Sequence, residues 1–252
     1  MRTSPLESFR HYLQAHATVP GKQREPQPLA ITISREAGAG AVTIAGMIAE
    51  RMRALETSSE SRPWAVFDAN LAEEVLKDHH LPDKLARFME EAARPPVDTA
   101  VAELLGLTPS PWTLVQLTTE TILRLASLGH VILVGRGANI ITARMPQLFH
   151  VRLVAPWTRR VEHLAAQNQV SQAEAARIAK SRDHARRAYV RRYFNAEIDD
   201  ATLYDLTLNT GRLGFAHSAD VIVEAALFHH REFKRTGGAA AIENAPSESV
   251  VL

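Results

Sequence analysis

Leu29-Ala30-Ile31-Thr32-Ile33-Ser34 and the residues after it, Arg35-Glu36-Ala37-Gly38-Ala39-Gly40-Ala41-Val42-Thr43, decide the fold. The first six form a short, β-branched apolar run of strand length. Beyond the glycines, Ile44, Met47, Ile48, Met52 and Leu55 recur at helical spacing, which predicts a helix over 41–55. A strand, a small glycine-containing turn and a helix in that order make the first half of a βα unit. A helix start at such a turn offers backbone N–H groups and the positive end of the helix dipole to an anion.

The same alternation continues along the chain. Trp64-Ala65-Val66-Phe67 is a second apolar run, followed by helical stretches with Leu71, Val75 and Leu76. A helix is expected over 113–128, through Leu114, Leu117, Ile122 and Leu125. Val131-Ile132-Leu133-Val134 is a third run, 149–154 a fourth strand and 157–167 a helix. Ser171-Gln172-Ala173-Glu174 has the capping-box pattern that opens another helix. Tyr204-Asp205-Leu206-Thr207-Leu208-Asn209 alternates with period two, and 215–230 closes as a helix. Short apolar runs joined by longer helices indicate an α/β fold with a parallel sheet covered on both faces. Functional loops then lie at the carboxyl ends of the strands.

The chain has 252 residues, enough for a sizeable core, with 46% hydrophobic and 23% charged side chains. Twenty-nine basic against 28 acidic groups leave a net charge of +1, so any electrostatic function has to be local. There are no cysteines, which excludes disulfides and thiol chemistry and fits a reducing cytoplasm. No apolar run has the roughly 18–20 residues that a membrane span needs. Met1-Arg2-Thr3-Ser4-Pro5 leads into no apolar block, so no secretory signal is expected. Residues 1–28 read as an appendage, with Leu6, Phe9, Tyr12 and Leu13 suited to a short amphipathic helix and a linker over 20–28. Residues 234–252 read as a loose tail. The histidines are too scattered for a metal cluster, and no metal site is expected.

The residues after the strands carry the chemistry. In the first loop, Gly38 and Gly40 allow close approach to a phosphate, and Thr43 offers a hydroxyl. The position is that of a P-loop, but Gly-x4-Gly-Lys-Ser/Thr would need Gly at Arg35, Lys at Ala41 and a hydroxyl at Val42. A plain strand-to-helix turn without a ligand explains the same residues. Asp68 follows the second strand, as a substrate-orienting carboxylate or as an N-cap. Arg136, between Gly135 and Gly137, has a fork suited to phosphate and room to reach one. Over 177–192, Arg177, Lys180, Arg182, Arg186, Arg187, Arg191 and Arg192 face only Asp183 within the segment, the largest local field in the chain. That points to a polyanion, either nucleotide phosphates or a nucleic-acid backbone. A solvated helix face is the plainer alternative, with Glu197, Asp199, Asp200 and Asp205 as downstream partners. Tyr189 and Tyr193, four apart, are expected to pack against the domain.

Together these residues resemble the cytidylate-kinase-like family, relatives of the nucleoside monophosphate kinases. The resemblance runs from about Ala30 to about Ala226. It rests on 31–36 with Gly38 and Gly40, Phe67-Asp68, Val134-Gly135-Arg136-Gly137-Ala138, Arg160, Asp183 with its arginines, and 204–210. It implies a three-layer P-loop kinase-type fold of about five parallel strands, with a domain over 29–233, a nucleotide-monophosphate-binding insert near 69–112 and a lid near 171–200. The implied reaction is transfer of the ATP γ-phosphoryl to CMP or a similar acceptor, with Mg²⁺. By that resemblance Gly38, Ala39, Gly40, Ala41 and Thr43 cradle the donor phosphates. Asp68 and Arg136 hold the acceptor. Arg182, Asp183, Arg186 and Arg187 lie over the transferring phosphoryl, and Asn209 and Thr210 flank the adenine.

The chain departs from the pattern at the loop cation. Ala41 stands where the superfamily has lysine, and Val42 where this family often has arginine. Arg35 or a lid arginine is the available substitute. If neither acts, the expectation becomes a nucleotide-binding regulatory protein with little turnover. A nucleic-acid-binding protein is the third reading.

Overall fold

The computed structural model describes residues 28–55, 63–68 and 111–236. The helical stretches expected around 71–76, the insert, the amino-terminal appendage and nearly all of the tail lie outside the described residues.

Strand β1 (Ala30–Arg35) is buried on both faces through Ala30, Ile31, Thr32 and Ile33, as expected of a central strand flanked by helices. It pairs in parallel with β3 (Val131–Val134) on one side and β4 (Leu148–Val154) on the other. β2 (Ala65–Phe67) extends the sheet beyond β3, and β5 (Leu206–Asn209) extends it beyond β4. All pairings are parallel and the order is β2-β3-β1-β4-β5. Order changes direction around β1, so the loops after β1, β3 and β4 open onto one crevice.

Alternation along the strands sends side chains to two cores. On one face Ile31, Ile33, Ile132, Val134, Val151 and Leu153 meet helix α1 (Ala41–Leu55) through Ile44, Ile48 and Met52. Ile222, Val223 and Ala226, from the last helix, fill the same core. On the other face Ala30, Val131, Leu133 and Leu148 meet α2 (Pro111–Leu128) through Ile122, Leu125 and Ala126. Each fully buried Ile or Leu contributes about 1.5–3 kcal/mol, which makes the sheet a stiff platform for the loops above it. The short α3 (Ala138–Ile141) follows β3 directly.

A third, small core joins α4 (Trp157–Asn168) to α5 (Gln172–Phe194) through Val161, Leu164, Ala175 and Ala179. Ala37, from the loop after β1, is part of this cluster. The arginine-rich helix is therefore packed onto the glycine turn through apolar contacts. Ser171 caps α5 as expected, its hydroxyl accepting from Glu174 N. The Glu174 carboxylate accepts from Arg177. A 3-10 turn (Ala201–Leu203) leads into β5, and the short α6 (Thr210–Leu213) and α7 (Phe215–Arg235) complete the chain. α7 runs five residues beyond the expected 230, and α1 begins and ends where its apolar spacing places it.

Candidate functional site

Gly38 and Gly40 have φ of 83° and 81°, the left-handed region that only glycine adopts freely. A Cβ on Gly38 would overlap the Arg160 carbonyl, and one on Gly40 would overlap the Phe215 ring. Among the described residues, the N–H groups of Gly38, Gly40, Ala41, Val42 and Thr43 donate to no other group. A strand-to-helix turn with several unengaged donors at a helix start matches what a phosphate needs. Thr43 is exposed, whereas Ala39, Gly40 and Ala41 are buried. No group of three acidic or histidine side chains is placed to hold a cation among the described residues. The unengaged donors suit an anion, and the exposed Thr43 offers a hydroxyl beside them.

Two cavities flank the turn. The larger measures about 400 Å³ and is lined by Gly38, Ala155, Arg159, His163, Gly211 and Phe215, among others. The His163 ring meets the Phe215 ring edge-on at 5.0 Å, and burial lowers the His163 pKa. Thr210 lines this cavity but its hydroxyl is committed: it donates to Ala39 O at 3.0 Å and approaches Val154 O at 3.3 Å. Asn209 caps α6, its Oδ1 accepting from Arg212 N. Of the two residues expected beside adenine, Thr210 lines this cavity and Asn209 does not, and both side chains hold the backbone.

The second cavity lies at the carboxyl ends of β1 and β3. Ser34, Arg35, Arg136, Asn139, Arg186 and Tyr189 line it, with Gly135 and Gly137. Arg136 is buried and has φ 59°, between Gly135 at 87° and Gly137 at 70°. Three successive left-handed residues are costly for a non-glycine side chain, and such strain persists where the surroundings hold it for a purpose. The two glycines have separate reasons: a Cβ on Gly135 would overlap Arg35 Nη1, and one on Gly137 would overlap the Phe194 ring. Asp68 follows Phe67, which pairs with Leu133, so Asp68 and Arg136 stand on adjacent strand ends.

The lid residues divide. Asp183 is buried and accepts from Ala37 N at 2.7 Å, from Arg160 Nη1 at 2.5 Å and from Arg186 Nη1 at 3.2 Å. Arg160 also donates to Ala37 O at 3.3 Å and lies 3.6 Å from Glu36, whose carboxylate accepts from Ala155 N. Asp183 thus ties α5 to the glycine turn, and Arg186 is carried to the second cavity. Arg182 and Arg187 are exposed. Arg187 pairs with Asp199 at 2.9 Å, which also accepts from Arg152. Burial alone would raise the Asp199 pKa, but Arg187 and Arg152 outweigh it and hold the carboxyl below its usual range. Downstream acids neutralise much of the basic helix, since Arg191 pairs with Glu197 as well. Tyr189 and Tyr193 pack together at 5.0 Å, and Tyr189 also meets Phe194.

Sequence reasoning missed a second buried group. Arg152 on β4 donates to Ser34 Oγ at 2.9 Å, and Tyr204 OH donates to Ile198 O at 2.8 Å and meets Ser34 Oγ at 3.2 Å. An arginine inside an apolar strand was the available signal.

The sequence model described as "cytidylate kinase-like family" matches residues 30–212. No curated protein matches significantly. Among solved structures, an uncharacterized protein from Eubacterium ventriosum ATCC 27560 is similar at 18% identity and TM-score 0.55, covering 79% of this chain and 98% of its own. TT1252 from Thermus thermophilus matches at 17% identity and TM-score 0.42, covering 81% of this chain and 98% of its own. The first shares the α/β fold.

Proposed function

The chain belongs to the cytidylate kinase-like family, and from that premise we propose that it transfers the ATP γ-phosphoryl group to a nucleoside monophosphate, CMP being the first acceptor to test. The observation that carries this reading is the glycine turn itself, with unengaged N–H donors and a cavity on either side. Bound ATP with Mg²⁺ supplies the phosphoryl group and shields its charge. The donors of Gly38, Gly40, Ala41 and Val42 bind phosphate oxygens. The cavity of about 400 Å³ has the size of a nucleotide-base pocket, and His163, Phe215 and Gly211 line it for the adenine. Arg136 binds the acceptor phosphate from the opposite side, with Asp68 on the acceptor nucleoside. Arg186 adds charge from α5, Asp183 holds it there, and Arg182 and Arg187 remain on the outer lid surface.

The 69–112 insert is assigned the acceptor base, the 171–200 lid the exclusion of water, and the cytoplasm the location. Phosphoryl transfer needs positioning and charge more than covalent assistance, and this arrangement provides both. No helix among the described residues is long and apolar enough to cross a membrane.

One observation favours a second reading, a nucleotide-binding regulatory protein with little turnover. Ala41 brings no cation into the turn, while Glu36 and Asp183 place two carboxylates against it. The experiment combines ATP and Mg²⁺ with CMP, dCMP, UMP or AMP and measures ADP. Acceptor-dependent ADP supports the kinase reading. Saturable ATP binding without turnover on any acceptor refutes it in favour of the regulatory one.

A further inference from the structure

We propose that Thr210 is a positioning residue for the glycine turn: by holding the Ala39 carbonyl it aims the N–H of Gly40 at a ligand phosphate. The proposal rests on the turn as a phosphate site and names the side chain, outside the turn, that sets one of its donors. A peptide unit is planar and trans, so its C=O and the N–H that follows point in opposite directions. Fixing one carbonyl therefore fixes one donor. The Ala39 carbonyl accepts from Thr210 Oγ1 at 3.0 Å. The Ala37 carbonyl, one peptide before Gly38, is held in the same manner by Arg160 Nη1 at 3.3 Å. The Gly40 carbonyl accepts from Ile44 N at 2.9 Å, inside the first turn of α1, and this orients the N–H of Ala41.

The peptide between Ala39 and Gly40 is one that needs a hold from outside. Rotating it changes ψ of Ala39 and φ of Gly40, and glycine takes either sign of φ at little cost. The unit before a glycine therefore flips more easily than its neighbours. A flip replaces the donor by a carbonyl oxygen, which repels phosphate. Thr210 has a built seat from which to prevent this. It is 2% exposed and is the first residue of α6. Its own carbonyl accepts from Gly214 N, and Asn209 beside it caps the helix. Packing removes further freedom, because the Cα of Gly40 lies against the Phe215 ring. Thr210 and Phe215 both line the cavity of about 400 Å³. The wall of the proposed base pocket and the hold on the phosphate donors are thus the same residues. The Thr210 hydroxyl serves the phosphate end of the nucleotide and not its base.

The test uses the full chain with pyrophosphate, a probe that has no base, against sodium chloride at matched ionic strength. Calorimetry reads affinity at a temperature where circular dichroism shows each variant folded. Amide resonances read the donors, and kinetics with ATP and the best acceptor read turnover. Wild type binds pyrophosphate saturably, and the amide protons of Gly38 and Gly40 shift downfield. Thr210→Val keeps the shape and removes the hydroxyl. It weakens pyrophosphate binding by about tenfold and abolishes the Gly40 response, while Gly38 still responds. It also raises the KM for ATP and leaves the acceptor KM unchanged. Thr210→Ser restores the affinity and the Gly40 response. Arg235→Gln, at the far end of α7, changes nothing. Pyrophosphate binding to Thr210→Val at wild-type affinity, or a Gly40 amide in wild type that does not respond, overturns the proposal. If Thr210→Val misfolds, the wild-type Gly40 resonance still decides. No saturable binding to wild type beyond chloride sinks this inference together with the phosphate reading of the turn. Weakened binding in Thr210→Val, with no turnover by wild type on any acceptor, sinks the kinase reading and leaves the positioning role standing. Wild-type turnover with pyrophosphate binding unchanged in Thr210→Val sinks the positioning role alone.

Discussion

Asp183→Ala is the perturbation that most directly tests how the arginine helix is held to the glycine turn. The carboxylate is 9% exposed and accepts from Ala37 N, Arg160 and Arg186 at once. Removing it leaves two buried guanidiniums without their shared counter-charge and takes the acceptor from a backbone N–H inside the turn. Glu36, 3.6 Å from Arg160 Nε, compensates only in part. Breaking a buried ion pair from one side costs about 3–5 kcal/mol. For a chain of this size each kcal/mol moves Tm by about 2–4 °C, so a fall of roughly 6–20 °C is expected. Asp183→Asn is expected to lose nearly as much. Its oxygen still accepts from Ala37 N, but its amide turns N–H groups toward arginines that are themselves donors.

The assay is thermal unfolding followed by circular dichroism, with amide exchange read at residues 36–40. Both variants should lose exchange protection at Ala37 before the sheet opens, because the turn is released while the cores beneath it are intact. A Tm within about 2 °C of wild type, with Ala37 protection unchanged, refutes the strap. Full stability in Asp183→Asn alone refutes the need for charge and leaves only the hydrogen bond.

Acid stability provides a test away from the site. Burial lowers the His150 pKa from 6.5 to about 4, with Asp205 opposing and His229 reinforcing the shift. The folded state therefore holds fewer protons than the unfolded state, so the stabilisation is complete above pH 6.5 and is lost as pH falls toward 4. His150→Gln should flatten that limb of a pH–stability curve; an unchanged limb assigns the loss elsewhere. Gly38→Ala should cost about 2–4 kcal/mol in chemical denaturation, since φ is 83° and the Arg160 carbonyl blocks a Cβ; a cost below 1 kcal/mol would mean that the turn relaxes freely. Arg182 is exposed and should alter stability by less than about 0.5 kcal/mol on change to Ala, while turnover falls if the lid delivers it; equal kcat and KM would remove it from the mechanism. Ala41→Lys reads on the loop cation: Ala41 is 6% exposed and packs in the main core, so a lysine there should destabilise by about 1–3 kcal/mol and leave ATP affinity unrestored. A rise in ATP affinity would mean that the turn opens to accept it.

The sheet was legible because its signal is local and redundant. Ile31 and Ile33, Ile132 and Val134, and Val151 and Leu153 write the same apolar run three times, and the first and third are each followed by a long helix of helical period. The glycine turn was legible for the same reason. The buried polar groups were not, because their partners lie far apart. Ala37 and Asp183 are separated by 146 positions, and Ser34 and Arg152 by 118. No spacing rule couples residues at that distance; only the strand order brings them together. The charge on α5 was legible as an excess but not as a function. Glu174, Glu197 and Asp199 answer three of its arginines, while Arg186 turns inward because Asp183, one turn earlier, is drawn to Ala37.

Asp183 also sets how displacement spreads through this part of the molecule. Its carboxylate accepts from Ala37 N in the glycine turn, from Arg160 on α4 and from Arg186 on α5. The small core shared by those two helices includes Ala37. The sheet beneath is held separately, its central strand paired on both sides. A displacement of α4 and α5 therefore strains the Asp183 bond to Ala37 N before it reaches the sheet, which is why Asp183→Ala is expected to release the turn first.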